Sequence, residues 1–224
     1  LEDRSSNLWV GTEDGLAILK LLGKPPNQTQ PFTVFHHDPL DPFSLKSDRI
    51  RALYEDRSGI VWIATDGGVA RYSPARDRFT LYRHDPFDPD SLGAPSAGAI
   101  LKDRNDELWI GLHNGGLDRL NRTSGKVTHY RHDPNDPTSI SHDHVTALHQ
   151  DQSGIIWIWT KAGLDRLDPT TAHFTHYQNP ADASIGAGAV KVIVEDHSHT
   201  LWIGTEEPGT LSHLDPVTGD VTVY

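Results

Sequence analysis

A segment dense in histidine and aspartate recurs along the chain, and its residue types are those that bind metal ions or transfer protons. The copies read HHDPLDPFSL from His36, RHDPFDPDSL from Arg83 and RHDPNDPTSI from Arg131. An imidazole and two carboxylates, as in His132, Asp133 and Asp136, form a ligand set that suits a divalent cation. One interpretation is therefore a repeated metal or catalytic site, and the other is a repeated corner of the chain.

The prolines of the segment favour the corner. Each proline fixes φ and lacks an N–H group, so it ends strand pairing and stiffens the crossing. The aspartate before each proline is driven to an extended conformation and can form an Asx turn. We therefore predict structural linkers, with no metal, no cofactor and no catalytic residue assigned. The histidines are the one residue type that this prediction leaves unexplained.

The composition excludes several classes of function. The chain has 224 residues and a net charge of −11, which argues against a nucleic-acid partner. It has no cysteine, so thiol catalysis, disulfides and cysteine-ligated zinc are excluded. Its apolar runs are far shorter than the roughly 20 residues that cross a bilayer, so membrane attachment is expected only through parts outside this segment.

The linkers separate repeated units, and each unit carries a tryptophan preceded six positions earlier by an aspartate. The tryptophans lie 53, 47, 48 and 45 residues apart along the chain. A constant spacing between aspartate and tryptophan predicts a rigid turn that joins two strands in fixed register. These structural repeat residues are Trp9, Trp62, Trp109, Trp157 and Trp202, with Asp3, Asp56, Asp103, Asp151 and Asp196.

Each unit contains four short segments of alternating apolar and polar residues, which is typical of strands. A four-stranded unit of about 45 residues suits a blade of a β-propeller. We predict an all-β fold with about five antiparallel blades, as a closed ring or as part of a longer propeller array. The whole chain is then one repeat region, with units of roughly 1–47, 48–94, 95–142, 143–186 and 187–224.

The repeats resemble those of the two-component regulator propeller family. The resemblance rests on EDRSGIVWIATDGGVARYSP from Glu55, DRNDELWIGLHNGGLDRL from Asp103 and DQSGIIWIWTKAGLDRLDP from Asp151. The chain departs from the pattern in an insertion, KLLGKPPNQTQP, and in a degraded last linker, YQNPADASIGAG. The resemblance implies a sensor module in the periplasmic or extracytoplasmic part of a membrane-anchored bacterial signalling protein. A histidine kinase or diguanylate cyclase output domain would lie outside this segment.

Ligand binding is expected on the face that carries the linkers and the turns between the second and third strands. Those turns vary in length and charge, as recognition loops do on a fixed scaffold. Trp159 replaces a small residue of the other units and has two interpretations, a stacking platform for a sugar ring or a filler between blades. The polar candidates are Glu13, Asp14, Asp66, His113, Asn114, Lys161, Glu206 and Glu207.

Three functions remain open at this stage. A sensor that binds an oligosaccharide or another small ligand is the first, with self-association possible through further blades. A propeller-type polysaccharide lyase or hydrolase is the second, and would need carboxylates or a histidine–tyrosine pair in a central opening. Tyr54, Glu55, His149 and Glu195 are inward candidates, but they occupy repeated positions, which favours a framework role. A protein-interaction scaffold is the third.

Overall fold

The computed structural model is built of β-strands, as the sequence predicts. It describes residues 1–20, 32–73, 78–177, 190–206, 209–218 and 220–224. The insertion and the last linker lie mostly outside these ranges, and Glu207 lies outside them too. Within them, no helix has the length and apolar character needed to cross a membrane. The chain forms two compact units, Leu1–Ile100 and Leu101–Tyr224.

The first unit holds two antiparallel sheets, here called blades 1 and 2. Blade 1 has three strands and an isolated bridge from Glu2 to Leu8, which marks the place of a fourth. Its strands are β1 (Asn7–Thr12), β2 (Gly15–Lys20) and β3 (Thr33–Phe35). Blade 2 is formed by β4 (Ile50–Glu55), β5 (Val61–Thr65), β6 (Gly68–Ser73) and β7 (Arg78–Tyr82).

The second unit holds blades 3 to 5, each with four strands in chain order; the boundary between units falls within β8. Blade 3 is β8 (Ala97–Lys102), β9 (Leu108–Leu112), β10 (Leu117–Leu120) and β11 (Val127–Tyr130). Blade 4 is β12 (Val145–Gln150), β13 (Ile156–Thr160), β14 (Gly163–Asp168) and β15 (His173–Tyr177). Blade 5 is β16 (Val190–Glu195), β17 (Leu201–Thr205), β18 (Leu211–Leu214) and β19 (Val221–Val223).

The turn that follows the repeated aspartate has the same backbone conformation in all five copies. Its fourth residue has φ between 56° and 93°, the left-handed region that favours glycine. Blades 2 and 4 place a glycine there, whereas the other blades accept a side chain in the same conformation. The five residues are Ser6, Gly59, Asp106, Gly154 and His199.

The apolar core lies between successive blades. In the first unit Trp9 and Leu16 of blade 1 pack with Val61 and Ile63 of blade 2. In the second unit Trp109 packs with residues of blade 4, and Trp157 packs with residues of blade 5. Burial of a ring of this size is a large local contribution to stability. Each sheet therefore depends on a neighbour to cover its faces.

Candidate functional site

The repeated aspartate and tryptophan are joined by a hydrogen bond in every blade. The indole Nε1 donates to the aspartate Oδ2 over 2.8 to 3.1 Å. The other carboxylate oxygen accepts amides of the turn, as Asp103 does from Asn105 and Glu107. Burial alone would raise the pKa of Asp3, but the bonds from Trp9 and Asn7 outweigh burial and lower it. The constant spacing thus reflects one hydrogen-bonded turn that is repeated in all five blades.

The histidines of the linkers also have a structural partner. The ring Nδ1 of His37, His84 and His132 lies 2.6 to 2.8 Å from the carbonyl oxygen eight residues later. In the linker of His132 the Asp133 amide donates to Ser139 Oγ, and Asp136 accepts the Thr138 amide. These bonds hold the segment as a closed corner, which agrees with the linker prediction and accounts for the histidines.

One group of possible metal ligands occurs among the described residues, at the first linker. Donor atoms of Asp14, His36 and Asp48 lie within 4.8 Å of one another. Asp48 Oδ1 already accepts the His37 amide at 2.6 Å and lies 3.7 Å from His36 Nδ1. The set is not repeated among the described residues of the other blades. Its contacts are explained by the closure of the corner, and we assign no metal to it.

The predicted ligand face, called here the loop face, is assembled by main-chain bonds. In the first unit the amide of Gly15 donates to Asp48 O at 2.8 Å. In the second unit Gly116 N donates to Asp143 O at 2.8 Å and Lys161 N to His144 O at 3.1 Å. Each bond ties a turn between the second and third strands to the linker that follows or precedes it. The placement of turns and linkers on one face is confirmed.

In the first unit the acidic candidates of the loop face are paired with arginines. Arg51 donates to both carboxylate oxygens of Asp66, each over 2.8 Å. Arg49 lies 3.6 Å from Asp66 and 3.8 Å from Glu13. The hydrogen bond that Arg51 donates to Asp66 is the main reason that the pKa of Arg51 is raised. Asp66 therefore positions the linker and is largely occupied, while Glu13 stays exposed.

In the second unit the loop face brings together residues that the sequence placed in different blades. The rings of His113 and His144 are stacked, with centroids 4.5 Å apart and planes 6° from parallel. His142 Nδ1 accepts the amide of His144 at 2.9 Å, and Lys161 is exposed beside it. Asn114, in the same turn as His113, is exposed in a left-handed conformation with φ of 64°. The imidazoles and the lysine form what we call the imidazole cluster.

The imidazole cluster is electrostatically unusual for so acidic a chain. Burial, together with the charges of His113, Lys161 and His142, lowers the pKa of His144 to about 4. Its Nδ1 is buried and has no hydrogen-bond partner among the described residues. At neutral pH the ring is thus uncharged beside a lysine, and the cluster offers hydrogen bonds and one fixed positive charge to a ligand.

Two further candidates of the loop face lie apart from the imidazole cluster. Trp159 is 1% exposed and packs with Val190 of blade 5, so its indole presents no open face in this structure. In blade 5 a small residue fits at the matching position, because a Cβ on Gly204 would lie 2.9 Å from Val192 Cγ1. Glu206 is exposed at the end of the second strand of blade 5. Ligand binding by these residues stays a prediction.

The inward carboxylates considered for catalysis make repeated contacts between blades. Glu55 accepts the amide of Arg4 at 3.0 Å, and Glu195 accepts the amide of Gln152 at 3.1 Å. Gln150 accepts the amide of Arg104 in the same way at 3.0 Å. A position that serves three pairs of blades alike favours a framework role over a catalytic one.

Comparisons with known proteins agree with this architecture. Residues 44–67 match the profile of the two component regulator propeller family. No curated protein matches the sequence significantly. The extracellular domain of a putative hybrid two component system from B. thetaiotaomicron is 24% identical, with a TM-score of 0.76 over 97% of this chain and 26% of that one.

Other solved structures with the same fold include a second extracellular domain and an enzyme. A second such extracellular domain from B. thetaiotaomicron is 22% identical, with a TM-score of 0.80 over 100% of this chain and 30% of its own. Virginiamycin B lyase from Staphylococcus aureus is 15% identical, with a TM-score of 0.71 over 100% of this chain and 68% of its own. The present chain thus spans less than a third of the length of the two component neighbours, and the propeller fold is confirmed.

Proposed function

We propose that this chain, which carries a two component regulator propeller repeat, is the ligand-sensing module of an extracytoplasmic signalling protein. The output domain lies outside these residues. The fold shared with extracellular domains of hybrid two component systems supports both parts of the proposal. Signal transmission then consists of a change at the propeller that passes to the rest of the protein.

The imidazole cluster is the observation that carries the ligand-binding part of the proposal. His113 and His144 come from neighbouring blades, so a ligand that contacts both rings bridges two sheets. Lys161 adds a positive charge on a chain whose net charge is −11. The cluster therefore favours a carbohydrate or another small ligand that carries a carboxylate or sulfate group.

A thermal-unfolding experiment with matched saccharides tests this function. Binding to the folded state alone raises the unfolding temperature by mass action. We expect trigalacturonate to raise it more than uncharged galactotriose. The variants Lys161→Ala and His113→Ala are expected to abolish the difference, while Glu13→Gln, on the loop face of the first unit, retains it. Equal shifts in all four proteins contradict the proposed site.

Product analysis on the same samples separates a sensor from an enzyme. The virginiamycin B lyase neighbour makes a lyase the main alternative. A sensor leaves the saccharide intact, whereas a lyase or hydrolase yields unsaturated or shortened products. Turnover that is lost on replacement of a single histidine or carboxylate would overturn the sensor assignment.

A further inference from the structure

We propose that a second ligand site, separate from the loop face, lies between blades 4 and 5 and binds a neutral, hydroxyl-rich small molecule such as a mono- or disaccharide. The site is a cleft on the side of the sheets where the turns after the repeated aspartates emerge. The constant length of those turns, taken alone, predicts a structural role for this side of the sheets. The inference does not depend on the imidazole cluster being a ligand site.

The cleft has the size and the mixed lining of a small-molecule site. Its volume is about 780 Å³, within the range of about 300–1,000 Å³ that such sites span. Its buried floor is formed by Asp151 and Trp157, which are already joined by the indole hydrogen bond. The walls come from Gln152, Ser153, Arg166 and Thr175 on blade 4 and from Glu195, His199, Pro216 and Val217 on blade 5.

A difference between the repeats explains why this gap is open. The residue after the repeated aspartate is an arginine in blades 1, 2 and 3, and in blades 1 and 3 its side chain spans to the next blade. Arg4 Nη1 donates to Arg57 O at 2.6 Å, and Arg104 Nη2 donates to Asp151 O at 3.0 Å. Blade 4 has the shorter Gln152 there, and its carboxamide makes no hydrogen bond to any described residue. The gap between blades 4 and 5 therefore lacks the cover that an arginine supplies elsewhere.

The wall on blade 5 holds a histidine in a conformation that a glycine would adopt at less cost. His199 has φ of 65°, at the turn position where blade 4 has Gly154. Ser6 and Asp106 share this conformation at the same turn position, so what distinguishes blade 5 is the imidazole that the turn carries. Here the His199 ring lies 3.0 Å from Glu195 Oε1, and Glu195 also accepts the Gln152 amide. The turn thus holds an exposed imidazole, hydrogen-bonded to a carboxylate, at the edge of the cleft.

The lining chemistry points to an uncharged ligand with many hydroxyl groups. The Asp151 carboxylate of the floor is already occupied by hydrogen bonds from its own turn and from the indole. The remaining charges, on Arg166 and Glu195, are of opposite sign, so neither an anion nor a cation is favoured as a whole. Thr175 offers a hydroxyl that can both donate and accept hydrogen bonds, as sugar hydroxyls do, whereas the Ser153 hydroxyl donates to Asp151 at 2.6 Å and offers an acceptor. Pro216 and Val217 supply an apolar wall for the C–H face of a ring, and Val217 is 91% exposed in the free protein.

The test measures sugar binding before and after Gln152 is replaced by arginine, the residue found at this position in blades 1 to 3. Calorimetric titrations with cellobiose, maltose and lactose are expected to give a Kd of about 0.1–1 mM for at least one sugar. Gln152→Arg is expected to weaken that binding by about tenfold or more and to leave the unfolding temperature unchanged or higher. Arg104→Gln makes the reverse exchange between blades 3 and 4, and is expected to leave the binding intact.

A second variant guards against misfolding of the first. His199→Gly relieves the left-handed side chain, so we expect an unchanged or higher unfolding temperature together with weaker sugar binding. Lys161→Ala, on the loop face, is expected to retain cleft binding, so failure of the proposed sensor site and failure of the cleft are distinguished. No binding of any of the three disaccharides, equal binding by Gln152→Arg, or binding only of glucuronate or glucosamine would overturn the proposal.

Discussion

The indole Nε1 of Trp109 donates a hydrogen bond of 2.9 Å to the carboxylate of Asp103, and both side chains are buried. The same carboxylate accepts the amides of Asn105 and Glu107 over 2.8 and 3.0 Å. One side chain therefore fixes the turn, satisfies a buried indole and sets the register of the first two strands of the blade. The arrangement makes the aspartate a central determinant of stability.

Replacement of that aspartate is predicted to destabilise the protein strongly. Asp103→Ala leaves the indole N–H and two turn amides without an acceptor, and we expect a loss of about 2–4 kcal/mol in the free energy of unfolding. Asp103→Asn keeps one acceptor oxygen and is expected to cost less. Urea unfolding followed by circular dichroism measures both values. A loss below that of the asparagine variant would contradict the role assigned to the carboxylate.

The linker histidine is predicted to act through its hydrogen bond and not through a metal. His132 Nδ1 lies 2.8 Å from Ile140 O, so His132→Leu removes one bond that closes the corner. We expect a loss of about 1 kcal/mol, since a hydrogen bond of this kind contributes that much on average. The unfolding temperature of the wild type is expected to be the same with zinc or with a chelator. A large shift with zinc that His132→Leu abolishes would support the metal interpretation instead.

Trp159 is predicted to be needed for packing between blades 4 and 5. The side chain is 1% exposed, and Trp159→Gly would leave a large cavity, with an expected loss of about 3–5 kcal/mol. Trp159→Phe retains much of the contact and removes an indole N–H that has no partner among the described residues, so its cost is expected to be smaller. Thermal unfolding and titration with the saccharides named above measure stability and binding together. Weaker binding at full stability would restore the stacking-platform interpretation.

The lowered pKa of His144 predicts a specific pH dependence of stability. The ring has a pKa of about 4 in the folded chain and an ordinary value near 6.5 in the unfolded chain. Between these values the unfolded state binds more protons, so the folded state loses stability as the pH falls from about 6.5 to about 4. The groups that face the ring are His113, Lys161 and His142.

The variant His144→Gln removes this titration and is expected to flatten the curve in that window. Unfolding temperatures of the two proteins, measured from pH 7 to pH 4, provide the comparison. His84→Gln replaces a histidine whose ring bonds a linker carbonyl, and serves as the control. Curves of equal slope for wild type and His144→Gln would show that burial of this ring does not control the acid response.

The sequence was informative where the determinants are local. Each tryptophan lies six positions after its aspartate, so a constant spacing was enough to predict the turn and the first two strands. The partner of His132 lies eight residues away and follows from the curvature of the corner, which the residue types do not reveal. The imidazole cluster and the cleft depend on contacts between blades. The sequence nevertheless contains one sign of the cleft, because Gln152 occupies the position that Arg4 and Arg104 occupy in other repeats.

The hydrogen bond between each repeated aspartate and its tryptophan lies wholly within one sheet, so every blade carries its own means of fixing strand alignment. Gene duplication or deletion can then change the number of whole blades, here called cassettes, because each copied segment contains the hydrogen bond that aligns its own strands. Side chains that cross from one cassette to the next, such as Arg104 and Gln152, remain free to diverge afterwards. New sites are then expected at the seams between cassettes, where sequence drift leaves the individual sheets intact.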